Sequence, residues 1–239
     1  MCKLKYLLAI AFAFLLLPIF YIEALAVDSE GSYIAISDEE KTNILASLQL
    51  SKNMEESEKR AIKCFSVNET GEFAIGVDLS TFIKNVSIYS ADGIFLYSYT
   101  FECWGAYGIE LSKDVIRIYL ARSSLIVEIT PKTDSIDIFK INGKENEKFW
   151  SNTLRITELE INSKVYRIEN DDNSIFTFMD SFSFLTVTDS SGEKNVLYDA
   201  SIHNTILANE RLRGFTVFLV CFVAISSTYF ITLVVKKRK

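Results

Sequence analysis

Two carboxylates, Glu102 and Glu110, flank the stretch "CWGAYG". Acids beside aromatic rings suit glycoside cleavage, where one carboxyl donates a proton and a second acts as nucleophile or base. Acidic residues are so plentiful in this chain that a pair at this spacing also arises by chance. A milder use of the same stretch is stacking, because Trp104 and Tyr107 offer flat apolar area to a ligand. The competing expectation places both rings in the core, where large aromatics are usually found.

Other routes to chemistry are thin. His203 is the single histidine, so a Ser–His–Asp triad would have to use it, and a zinc site of the usual His/Cys types lacks ligands. The run "ENDDN" at 169–173 lacks the alternating ligands and the glycine of a calcium loop and reads as a turn. The glycines are scattered, with no phosphate-binding loop. The sequence therefore leads us to expect no catalytic set, no metal and no cofactor. Cys64 and Cys103 are the two cysteines between the apolar ends; Cys2 and Cys221 fall within those ends. In an oxidising compartment the pair would close a loop worth about 3–4 kcal/mol. Two buried free thiols are the equal alternative. Sequons stand at Asn68–Thr70 and Asn85–Ser87, the first in a turn expected to be exposed.

The elements that must position these residues are strands. From Cys64 the hydrophobicity has period two: Phe73, Ile75 and Val77 alternate with Ala74, Gly76 and Asp78, and similar runs follow at 95–101, 116–121 and 125–129. Turn signals separate them at "NETGE", "ADG", "SKD" and "PKTD". Short strands at close spacing are the all-β signature. The spacing repeats, predicting strands at 64–67, 73–79, 85–90 and 94–101, then at 106–111, 115–121, 124–130 and 135–141. Each unit has the size of a four-stranded propeller blade. A looser third unit spans 150–200, with hairpins in "RITELEINSKVYRIEN" and "FSFLTVTDSSGEKNVLYD". Three blades do not close a ring of four to eight. Either the lead-in at 27–63 adds strands, or two chains complete each other as a homo-oligomer, or the units form a sandwich. Within the lead-in, "SDEEKTNILASLQL" starts like a helix, with Ser37 as N-cap and Glu40 three positions on, although "NILASLQL" also suits a strand.

The run at 92–110, "DGIFLYSYTFECWGAYGIE", resembles bacterial membrane-anchored proteins with blade-like β repeats. The likeness extends to layout: leader, β ectodomain, C-terminal span, basic tail. It implies a β fold and placement in the envelope, and no activity.

The ends bear this layout out from physical grounds. Residues 214–235 carry no charge, and as a helix they would reach about 33 Å, the thickness of a bilayer's hydrocarbon core. "KKRK" at 236–239 outweighs Arg211 and Arg213 on the other flank, so the C-terminus is expected in the cytoplasm. At the N-terminus, Lys3 and Lys5 precede an apolar run and "ALA" at 24–26, the pattern of a signal peptide cleaved after Ala26; an uncleaved anchor over 6–22 is the alternative. Either way, residues 27–213 face outward, with the β domain at 64–210. That region holds 19 Lys and Arg against 30 Asp and Glu, about −11 overall. Such a surface repels nucleic acid. The expected function is a single-pass membrane protein whose outer β domain binds a protein or glycan. The alternatives are an accessory subunit of a membrane complex and a carboxylate-based envelope hydrolase.

Overall fold

The computed structural model describes residues 33–142, 153–154, 156–170, 181–203, 205–206, 209–210 and 212–222. The expected leader at 1–26, the tail at 236–239, most of the "ENDDN" run and residues 223–235 of the expected span lie outside them. The chain begins with β1 (Tyr33–Ala35), helix α1 (Asp38–Leu48) and β2 (Ser51–Asn53). Three antiparallel meanders of four strands follow. The first is β3 (Ile62–Val67), β4 (Phe73–Asp78), β5 (Ile83–Tyr89) and β6 (Phe95–Glu102). The second is β7 (Tyr107–Leu111), β8 (Ile116–Leu120), β9 (Leu125–Thr130) and β10 (Ser135–Ile141). The third is β11 (Glu158–Ile161), β12 (Lys164–Glu169), β13 (Phe184–Thr188) and β14 (Lys194–Asp199). The architecture is thus mostly antiparallel β, and the repeat of four-stranded units is real, including the third.

The units do not close into a propeller. They stack, with the first sheet in the middle. One of its faces packs Cys64, Ala74, Val86 and Phe101 against Ile109, Ile118, Val127 and Ile138 of the second sheet. The other packs Phe65, Phe73, Ile75 and Tyr89 against Tyr166, Ile168, Leu185 and Tyr198 of the third. Burial on both faces explains why β3 and β4 are buried along nearly their whole length, whereas β12 alternates between buried and exposed. The sheets meet most closely at their inner strands. Gly76 of β4 is where they touch: a Cβ there would lie 2.5 Å from Cys64 Sγ and 3.0 Å from a ring carbon of Tyr107. A bridge between Ile62 and Phe182 ties the first sheet to the third.

The lead-in is part of this fold, so the β domain starts well before residue 64. β1 pairs with β10 and β2 with β6, each covering the outermost strand of its sheet. Between them α1 fills the gap where the first two sheets diverge, burying Leu48 with Ile44 and Leu45 against the shared core. The helix prevails over a strand here because its start is well made. Ser37 is extended and its Oγ accepts the Glu40 N–H at 3.3 Å, and Asp38, Glu39 and Glu40 sit at the positive end of the helix. Gln49 ends it in a left-handed conformation.

Beyond β14 the described residues are helical. Residues 214–222 are uncharged and exposed, with Phe215, Phe218 and Phe222 each at least 60% accessible. Among the described residues no helix is long and apolar enough to cross a membrane.

Candidate functional site

Strands β4, β6 and β8 finish, and β5, β7 and β9 begin, at one end of the stack, called the lower end below. A cleft of about 840 Å³ opens there between the first two sheets and the end of α1. Ile44, Leu48, Ile83, Leu120 and Leu125 make its apolar walls, and Glu102 and Arg122 its charged groups.

Local structure sets the rim. In the β4–β5 turn, Ser80 Oγ accepts the N–H groups of Phe82 and Ile83, at 3.3 and 3.1 Å. The Phe82 carbonyl accepts the Cys103 N–H at 2.9 Å, which ties this turn to the loop after β6. Gly105, with φ of +92°, turns that loop so that Trp104 projects outward. The rings of Phe82 and Trp104 lie 4.0 Å apart between centroids, and the Arg122 guanidinium stands 5.9 Å from the Trp104 ring. Trp104 is 61% exposed and Phe82 39%. Two aromatics in tilted contact, left in water beside an apolar cleft, are the least expected surface feature of the domain.

The residues singled out in the sequence divide between three environments. Glu102 and Trp104 are in the cleft. Tyr107 is core: it is 3% exposed, its hydroxyl donates to the Val77 carbonyl at 2.9 Å, and it packs edge-on against Phe101. Burial pushes its hydroxyl well above the usual tyrosine range. Glu110 lies on the other face of the second sheet, in a row with Arg117 and Glu128. Arg117 reaches Glu110 at 3.0 Å and Glu128 at 2.7 Å, and the Tyr119 hydroxyl also donates to Glu110. Glu102 and Glu110 are therefore not brought to one site: Glu102 closes β6 of the first sheet, whereas Glu110 alternates with the buried Ile109 and Leu111 of β7 and points away from that sheet.

Cys64 and Cys103 are free thiols, both packed on the core between the first two sheets. Burial pushes Cys103 up to about 11, and Cys64 higher still, with the negative Asp78 and a charged Cys103 adding to its shift. Neither sequon is an open acceptor. Asn68 is 3% exposed, with its Oδ1 accepting the N–H groups of Thr70 and Glu72, so the turn expected to be exposed buries its asparagine. Asn85 is 1% exposed and bonded to Thr100 and Ser87. His203 lies at the lower end, where its Nδ1 accepts the N–H of Ala61 at 3.2 Å.

Sequence reasoning missed Phe82, Arg122 and an adjoining ion pair. Lys84, with 5% of its side chain exposed, bonds Asp78 at 3.0 Å and the Thr81 carbonyl at 3.1 Å. Asp78 also lines a second cavity of about 670 Å³ that all three sheets share with Lys63 and Phe182. A large aromatic at a turn tip, as in "STF", was the available signal for Phe82. Arg122 gave none, since an arginine in a turn is ordinary. Among the described residues no cluster of His, Cys, Asp and Glu could hold a metal. No protein-family model and no curated protein matches the chain.

Proposed function

We propose that this chain is a membrane-anchored binding module, held by its apolar C-terminal run and working through the cleft at the lower end of its outward-facing β domain. The observation that carries this reading is the exposed Phe82–Trp104 pair with Arg122, standing on the rim of an 840 Å³ cleft. Sites of that volume with apolar walls and a few convergent polar groups are the usual form of a ligand site. Among the described residues the cleft has no second carboxylate to act with Glu102, which counts against a glycosidase built on Glu102 and Glu110.

The test uses the full chain in mild detergent against peptide and glycan arrays. A ligand retained by the wild type should bind about tenfold or more weakly to Trp104→Ala, the scale for truncating a central aromatic anchor. Arg122→Ala should weaken it as well, with no change in thermal midpoint. Unaltered binding by Trp104→Ala would place the site elsewhere. A tightly co-purifying subunit would favour the accessory-subunit role instead.

A further inference from the structure

The two ends of the stack differ in chemistry. Besides β5, β7 and β9, the strand β13 begins at the lower end, and β6, β8, β10 and β14 finish there. The chain comes in at Tyr33, paired with Ile141 at the close of β10, and leaves through Asp199 at the close of β14. Both connections to the apolar ends of the sequence thus depart from one side of the domain. The turns of the first two sheets at that side, 79–82, 103–106 and 121–124, contain no acid and one charge, Arg122. The turns of the same two sheets at the opposite end, 68–72, 90–94, 112–115 and 131–134, hold five acids, Glu69 and Asp92 among them, against Lys113 and Lys132. The carboxylates at lower strand ends are mostly engaged: Asp78 with Lys84, and Asp199 with the N–H of Ser201. The exception is Glu102, which lines the same cleft as Arg122.

We infer that the lower end rests on the bilayer, with Trp104 and Phe82 seated among zwitterionic lipid headgroups, Arg122 meeting their phosphate and Glu102 their ammonium. This rests on the binding-module reading and names the partner of the same cleft. Tryptophan is favoured at the headgroup level because its ring is apolar and its N–H is polar. Arginine matches phosphate through paired donors. The acidic opposite end would be repelled by an anionic surface, which orients the domain the same way. Residues 200–213 set the reach. As a straight helix they would span about 21 Å, more than the roughly 5–8 Å depth of a headgroup layer. The segment must then lean along the surface to bring Trp104 to lipid. It has the side chains to do so: Ile202 and Ile206, one helical turn apart, are 79% and 49% exposed.

The test places a single indole at each end of the full chain, reconstituted in phosphatidylcholine vesicles with lipids brominated near the headgroup. With Trp150→Phe, Trp104 is the reporter. With Trp104→Phe, Trp150→Phe and Ile94→Trp, the reporter sits at the opposite end, where Ile94 is 64% exposed. The expected result is blue-shifted Trp104 emission losing about half its intensity to brominated lipid, and no quenching at position 94. Adding Phe82→Ala and Arg122→Ala to the first variant should reduce the quenching. Water-like, unquenched Trp104 emission, or equal quenching at both positions, overturns the proposal. If Trp104 is unquenched by lipid yet becomes protected from acrylamide by a decapeptide pool or maltohexaose, the lipid partner fails and the binding reading stands. If the full chain stays soluble without vesicles or detergent, the membrane reading itself fails.

Discussion

Single atoms decide several outcomes. The inner strands of the first two sheets approach so closely at Gly76 that a methyl group there would meet Cys64 Sγ, Tyr107 and Ile109 together. Gly76→Ala should therefore cost about 1–3 kcal/mol, the usual range for overpacking. Denaturant unfolding measures this, and adding Cys64→Ala should return part of the loss by removing the nearest atom. His203 supplies a pH-dependent contact. Its Nδ1 accepts a hydrogen bond from the Ala61 N–H, so the neutral ring is the bound form. Partial burial and then the Arg60 charge hold its pKa below the ordinary value, with Glu58 and Glu210 opposing. A histidine depressed in the fold binds more protons when unfolded, so its contribution is complete above the unfolded pKa and is lost as pH falls. Thermal melts should show a lower midpoint at pH 5.5 than at pH 7.5, and a smaller difference in His203→Gln. An equal difference in both proteins would assign the pH dependence to other groups. Little of this was readable beforehand. A glycine in "FAIGVD" looks like any weak point in a strand until the facing tyrosine is known, and a lone histidine in a polar segment carries no signal of its acceptor role.

Elements were more legible than contacts. The strands of the first two units appear within about two residues of where alternation placed them, since period two is a direct consequence of pleating. The hairpins of the third unit appear as well. The lead-in was harder, because α1, β1 and β2 are short and polar residues dominate α1 and β2. What α1 does is a matter of packing. Its Leu48 is 6% exposed in the gap between two diverging sheets. Leu48→Ala should cost about 2–5 kcal/mol, the range for an unfilled core site. At roughly 2–4 °C per kcal/mol for a domain of this size, calorimetry would resolve the shift easily. A near-zero change would mean that the wedge closes without the helix. The outermost strands β6 and β10 are covered by β2 and β1, whereas β14 begins with Lys194, a charge of the kind that discourages edge pairing.

At the scale of the molecule, three sheets give two buried interfaces instead of a ring. The first sheet is buried on both faces because it is the middle layer, with Asn85, Ser87 and Ser98 as buried polar groups on β5 and β6. The second turns outward its row of Glu110, Arg117 and Glu128, and the third its charged pairs, Arg167 with Glu158 and Lys194 with Glu169. This ordering separates the two acids that had looked like a pair and gathers Phe82, Trp104 and Arg122 from three connections, with Glu102 at the close of β6, into one cleft. It also puts the cleft on the side from which the chain leaves, so that in the proposed reading binding at the cleft and contact with a membrane would be coupled by geometry. The lipid-quenching comparison of positions 104 and 94 tests that coupling.

From the residues alone came the strand class, the repeat of four, the acid balance, an apolar C-terminal run of spanning length with a basic tail, and a leader-like N-terminus. All of these are properties of neighbours along the chain, where alternation, turn residues and charge runs act locally. Which face of each sheet is buried, which aromatics stay in solvent and which carboxylate keeps an arginine as partner were decided only when the sheets stacked. Those outcomes depend on approaches between strands far apart in sequence, and a single stretch of chain holds no record of them.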